Sequence, residues 1–169
     1  RQVGGQQIQN CATIAGNLCN ASPAADGVPP LLTLDARLVL QAQAGKREMA
    51  LSDFILGNRQ TALKAGELVT DILIPKEIEQ GRSGFLKLGA RKYLVISVVM
   101  VAGLVFIDRH GKVISANVSV GSCSETAVKL PELEADLIGQ KYSPNLVRAD
   151  HLSHLTAIDD HRGTAAYRL

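Results

Sequence analysis

Tryptophan is absent, and aromatic residues of any kind make up only 4% of 169 positions. Aliphatic residues dominate instead, a globular composition that is neither disordered nor repetitive, long enough for one sizeable core or two small domains. Charge of one sign is also lacking. The formal net charge is +2, with acids and bases interspersed, which gives no basis for nucleic-acid or anionic-membrane binding. No apolar run reaches the roughly twenty residues of a spanning helix. The longest, residues 94–107, contains Gly103 and many β-branched residues and reads as buried strand. No signal-peptide pattern follows Arg1. The three cysteines, Cys11, Cys19 and Cys123, form no CxxC and pair with no histidine, so buried reduced thiols in a cytoplasmic protein are expected. The spacing argues against a metal site or iron–sulfur cluster. Nucleophile elbow, HExxH, Walker loop and Rossmann fingerprint are all missing. The four histidines lie in polar surroundings and are expected at the surface, His151 and His154 sharing a spacing of three without a completing ligand.

What is present is concentrated near the start. Residues 13–26, Thr-Ile-Ala-Gly-Asn-Leu-Cys-Asn-Ala-Ser-Pro-Ala-Ala-Asp, carry no charge until Asp26. Small residues let a backbone approach a ligand or another backbone. Thr13, Asn17, Asn20 and Ser22 supply directed hydrogen bonds. Two readings stand: a ligand-binding loop, or close helix packing followed by an ordinary turn.

Downstream, the pattern predicts a helix at 31–34, a turn at Asp35-Ala36, and strands at 37–42 and 47–51 joined through 44–46. A helix over 53–56 is expected, with Ser52 as N-cap and Gly57-Asn58 as its stop. A strand at 68–74 ends at Pro75, and the polar stretch 76–84 is the candidate domain boundary or mobile link. Residues 84–91 read as strand, and 96–107 as a helical turn followed by a strand. The turn 108–111 carries Gly111. In 112–121, Val113, Ser115, Asn117 and Ser119 fall on one face and Ile114, Ala116, Val118 and Val120 on the other. Helices are expected at 129–138, at 146–155, and after Thr164 or Asp160 as caps.

The run Val3-Gly4-Gly5-Gln6-Gln7-Ile8-Gln9-Asn10, continued through Ala12-Thr13-Ile14-Ala15-Gly16-Asn17-Leu18-Cys19-Asn20-Ala21-Ser22-Pro23-Ala24-Ala25-Asp26, closely resembles the second flavin motif of the FAD-binding subunit of molybdenum hydroxylases, the xanthine dehydrogenase and aerobic carbon monoxide dehydrogenase type. The run Asp160-x-Arg162-Gly163-Thr164-Ala165-x-Tyr167-Arg168 resembles the same family's C-terminal pattern. One departure is Ala15, where the family usually has glycine; its methyl would restrict φ and crowd a phosphate on the loop.

The resemblance implies an α+β chain: residues 1–80 as the second subdomain of a FAD-binding PCMH-type fold, without the N-terminal subdomain, and residues 81–169 as a small antiparallel sheet with a helical layer, truncated in its last helix. It implies FAD contacts at Thr13, Ile14, Ala15, Gly16, Asn17, Asp26, Val69 and Lys87. Asp26 could equally cap the helix after it, Val69 could be a core valine, and Lys87 could be a solvent-facing strand lysine. A cation at Lys87 would stabilise negative charge on a reduced ring. Val3 falls where some relatives place an aromatic, and Tyr93 lies in the loop that abuts the ring in relatives. No catalytic or metal-ligating residue is implied on this chain. Iron–sulfur clusters and the molybdenum cofactor are implied on an iron–sulfur subunit and a large molybdenum subunit, with electrons leaving through FAD to NAD or another acceptor. The alternative is a structural or interaction fragment of that subunit that does not bind FAD by itself.

Overall fold

The computed structural model describes residues 4–92, 94–141 and 143–169. Two short helices come first, α1 (Gln6–Cys11) and α2 (Ile14–Asn20). At six and seven residues neither is stable by propensity alone. α2 is held by its Thr13 cap and by Leu18, which is fully buried in the first core. Helix α3 (Val28–Thr33) begins three residues earlier than its apolar spacing suggests. Pro29 and Pro30 lie inside its first turn, where a missing N–H breaks no intrahelical bond. Asp35 then turns the chain in a left-handed conformation, at φ 48°.

The strands β1 (Arg37–Ala42) and β2 (Gly45–Ala50) form the expected hairpin. The next helix, α4 (Leu51–Phe54), starts two residues before its expected position because Leu51 and Phe54 are its buried anchors. Ser52 is therefore not its cap, and Gly57-Asn58 does not stop it. Instead β3 (Ile55–Gly57) pairs with β4 (Gln60–Thr61) around that turn. Strand β5 (Leu68–Leu73) closes an antiparallel sheet in the order β2-β1-β5. Leu18, Leu31, Leu32, Leu38, Leu40, Leu51 and Phe54 form the core beneath it.

A 3-10 helix over Lys76–Gln80 leads into an antiparallel meander, β6 (Arg82–Leu88), β7 (Val99–Ile107), β8 (Val113–Gly121) and β9 (Val128–Lys129). The helical turn expected before β7 does not form. Leu94 takes a left-handed φ of 52°, and residues 95–97 run without regular structure. The turn at 108–111 is as expected: Gly111 has φ 77°, and the Asp108 carboxylate accepts from the His110 and Lys112 N–H groups at 2.8 and 2.9 Å. A register shift opposite Phe106 and Ile107 resets the alternation in β8. Val113 thus lies with Val118 and Val120 around one apolar groove rather than with Ser115, while Ile114 is exposed.

Helix α5 (Pro131–Leu137) buries Leu133 against β8. The helix expected at 146–155 is replaced by 3-10 turns at Pro144–Leu146 and Ala149–Leu152. Arg148, in extended backbone between them, gives its N–H to the His151 ring at 3.2 Å rather than to a helical carbonyl. Helix α6 (Ala165–Arg168) is capped by Thr164, which accepts from Tyr167 N at 3.2 Å.

The two larger sheets meet through α3. On the face of β7 and β8 that carries Met100 and its neighbour Gly121, a Cβ on Gly121 would lie 2.7 Å from Pro29 Cγ and 2.8 Å from Met100 Cε. Asn117 Nδ2 donates to Thr33 O at 2.8 Å and Asp35 Oδ2 at 2.9 Å, and Lys129 Nζ meets Asp35 Oδ1 at 3.0 Å. This packing brings the start of α3 to the end of β6, where the candidate site lies.

Candidate cofactor-binding site

Thr13 caps α2, accepting at Oγ1 from Gly16 N at 2.9 Å. Asn17 N reaches Thr13 O at 3.0 Å. The first N–H groups of a helix have no intrahelical acceptor, so among the described residues those of Ile14 and Ala15 are left as the open donors of this turn. A Cβ on Gly16 would meet only Thr13 Oγ1, at 3.0 Å, and one on Gly5 would meet nothing within 4 Å. The backbone here is accessible to a ligand. Ala15 sits in helical backbone and is not among the residues with positive φ, so its methyl causes no strain.

Asn17 turns its side chain to the start of α3, its Oδ1 accepting from Gly27 N at 3.2 Å. Gly27 is the N-cap of α3 and has no side-chain cap. Asp26 is therefore not a capping residue. Its carboxylate crosses to the four-stranded sheet: Lys87 Nζ donates to Oδ2 at 2.5 Å and Ser97 Oγ to Oδ1 at 2.6 Å. The ion pair is mostly sheltered, with side chains 12% and 22% exposed. Lys87, which a solvent-facing reading would leave free, is thus turned inward from β6.

Asn17, Asp26 and Lys87 line a cleft of about 290 Å³, bounded by Gly4, Gly5 and Ile8 on one side and by residues 94–96 on the other. Ile8, Leu94 and Ile96 are each more than half exposed at its edge. The site therefore has a charged, hydrogen-bonding floor, an apolar rim and open main-chain donors nearby. A polar chain with a flat apolar ring suits that arrangement. Among the described residues no group of three or more His, Cys, Asp or Glu comes together.

Val69 does not line the cleft. It lies half-buried on β5, packed against the first core. Val3 and Tyr93 lie outside the described residues. Two residues carry structural weight through partners that the sequence did not signal. One is Ser97, fully buried in the apolar run 95–99; its only sequence mark is that a buried hydroxyl needs a partner. The other is Arg168, whose side chain is 0% exposed. Its Nη1 donates to Val98 O at 2.7 Å and to Ser122 O, and its Nη2 to Asp160 Oδ1 at 2.5 Å. Burial alone would raise the Asp160 carboxyl, but the Arg162 N–H and the charges of Arg168 and Arg162 hold it below its ordinary range.

The histidine expectation holds only in part. His110 and His161 are exposed, whereas His151 is 1% exposed and His154 half-buried. His151 Nδ1 accepts from Arg148 N, so Nε2 donates to Asp136 Oδ2 at 3.0 Å. Hydrogen bonds from His151 and then Arg148 lower the Asp136 carboxyl. A buried ring without a metal partner is thus satisfied by a turn and a helix. Nor are all the cysteines buried: Cys123 is, Cys19 is half-buried and Cys11 is exposed, all as free thiols. Among the described residues no helix is long and apolar enough to cross a membrane.

Residues 1–77 match the FAD binding domain in molybdopterin dehydrogenase, and residues 84–169 match the CO dehydrogenase flavoprotein C-terminal domain. The nicotinate dehydrogenase FAD-subunit of Eubacterium barkeri is 38% identical over 141 residues, covering 82% of this chain and 48% of that protein. The glyceraldehyde dehydrogenase medium chain of Sulfolobus acidocaldarius is 29% identical over 174 aligned positions, covering 99% of this chain and 60% of that protein. Quinoline 2-oxidoreductase from Pseudomonas putida 86 superposes with a TM-score of 0.87 at 25% identity, over 99% of this chain and 58% of that one. The chain therefore spans 48% to 60% of the length of these relatives. Both family matches, together with an α+β fold that places the flavin motif beside a sheltered Asp26–Lys87 pair, lead to one assignment: the chain belongs to the family of FAD-binding medium subunits of molybdenum hydroxylases.

Proposed function

We propose that the cleft between α2 and β6 is one side of the FAD site of a molybdenum-containing hydroxylase or dehydrogenase. The observation that carries this is the meeting, on one cleft, of the flavin motif, which ends in Asp26, and Lys87 from the four-stranded sheet. The open N–H groups of Ile14 and Ala15, with the bare backbone of Gly16, suit phosphate oxygens. Thr13 fixes that turn, and Asn17 fixes its distance from Gly27. Asp26 offers carboxylate lone pairs to ligand hydroxyls, and Lys87 holds a positive charge on the floor beneath the apolar rim, where negative charge on a ring would be stabilised. Val69 acts from behind, supporting α2 through the first core. FAD bound there would supply the redox chemistry between iron–sulfur clusters on a partner subunit and NAD or another acceptor. Substrate oxidation then belongs to a large molybdenum subunit in the cytoplasm, and an N-terminal FAD subdomain completes the cradle. A division into residues 1–80 and 81–169 fits this reading and is supported by family matches that end at 77 and begin at 84.

A second reading is kept because the start of α2 offers so few open donors: a structural fragment that holds no FAD alone. Titration with FAD, followed by quenching of flavin fluorescence and by the visible spectrum, separates the two. Saturable uptake that is weakened by Lys87→Met supports the cofactor reading. A colourless protein that takes up no added FAD supports the second.

A further inference from the structure

Ser97 is a hydroxyl in the middle of an apolar run, and it has a defined task. Its side chain is 0% exposed, and its Oγ donates to Asp26 Oδ1 at 2.6 Å. The residue beside it is pinned on both sides. Val98 N donates to Leu88 O at 2.8 Å, next to Lys87, and Val98 O accepts from Arg168 Nη1 at 2.7 Å. Arg168 is in turn held by Ser122 O and by Asp160, both C-terminal to the residues that line the cleft. The C-terminal run from Asp160 to Arg168 therefore ends in a guanidinium that fixes the backbone carrying Ser97.

The consequence is electrostatic. A carboxylate facing an ammonium alone can turn both oxygens toward it. Ser97 occupies Oδ1, so Asp26 gives Lys87 one oxygen, and among the described residues the remaining ammonium N–H groups of Lys87 are left for the cleft that it lines. We propose that Ser97 is a positioning residue for the Asp26–Lys87 pair, itself set by Arg168, and that it tunes the affinity of the cleft for a flavin nucleotide. This rests on the reading of the cleft as a FAD site.

The test is a double-mutant cycle on the intact subunit, with FAD as the probe and flavin fluorescence as the readout. Ser97→Ala is expected to raise the FAD dissociation constant roughly ten-fold, the scale of losing one hydrogen bond to a charged group. Ser97→Thr, which keeps the hydroxyl, is expected to stay within about three-fold of the parent. Asp26→Asn should weaken binding, and adding Ser97→Ala to it should cost less than about two-fold more, because Ser97 acts through Asp26. A merely structural serine would give additive losses. If Ser97→Ala does not fold, Ser97→Cys, a near-isostere with a weak donor, replaces it with the same expected loss. Parent-like affinity in Ser97→Ala while Asp26→Asn binds weakly overturns the positioning role alone. Parent-like affinity in both Asp26→Asn and Lys87→Met overturns it together with the reading of the cleft.

Discussion

Glu67 shows how far one carboxylate can be pulled from its ordinary behaviour away from any ligand. Arg47 grips its two oxygens through Nε at 2.7 Å and Nη2 at 2.8 Å, and Lys64 N adds a third bond at 2.7 Å. The Arg47 hydrogen bonds, then the Lys64 N–H, lower its pKa from 4.5 to about 2. A group whose pKa falls on folding stabilises the fold fully above its unfolded value. That contribution is lost as pH drops from 4.5 through about 2. Glu67→Gln should therefore melt below the parent at neutral pH, and the two melting curves should converge across that acid window. Melting temperatures measured in steps between pH 7 and pH 2 check this; a constant gap would sink it. Arg47 and Glu67 lie 20 residues apart, with no periodic mark to join them. The same holds more strongly for Ser97 and Asp26, 71 apart. Asp26 was legible as the first charge in an uncharged stretch, but its partners were not, because only tertiary packing brings β6 and residue 97 to it.

Elements were legible where one period and one turn residue agreed. The strand at 37–42 is an apolar run, Leu38 to Leu40, between polar ends, and its hairpin with Gly45–Ala50 has the expected short turn. Gly111 marks the β7–β8 turn for the same reason. Legibility failed where a local hydrogen bond overrode periodicity. The apolar spacing at 146–155 suits a helix, yet the bond between Arg148 N and the His151 ring fixes a tighter turn. A one-residue bulge likewise moved Val113 to the other side of β8, since alternation alone carries no information about where it is interrupted. For α2 the cap can be tested directly. Only seven residues long, the helix depends on Thr13 accepting from Gly16 N. Thr13→Ala should cost about 1 kcal/mol of stability and Thr13→Ser much less, read from urea unfolding midpoints. The same substitution should weaken FAD uptake, because the open donors of Ile14 and Ala15 belong to the turn that the cap holds.

At the scale of the whole molecule, α3 decides how the parts respond to stress. Its Leu31 and Leu32 belong to the first core, while its Pro29 rests on Gly121 of the four-stranded sheet. Asn117 and Lys129 add polar bonds across the same seam, reaching Thr33 and Asp35. With one helix shared between a core and a sheet, the two sides are expected to unfold together. Gly121 is the place to test it, since a methyl there would meet Pro29 and Met100 at under 3 Å. Gly121→Ala should cost about 1–3 kcal/mol through overpacking. The thiols report each side separately: Cys19 packs on the first core, and Cys123 lies in a second cluster with Val120, Leu130, Leu133 and Leu155. Burial raises the pKa of both, which slows their reaction further in the folded state. Cys11 is exposed and would react at once, so the measurement uses a Cys11→Ser background. Labelling of Cys19 and Cys123 across a urea series should give coincident midpoints, and Gly121→Ala should shift both by the same amount. If the Cys123 midpoint moves while that of Cys19 stays fixed, the seam through α3 does not couple the two sides, and the cleft that spans them would be lost when the side that carries Cys123 unfolds alone.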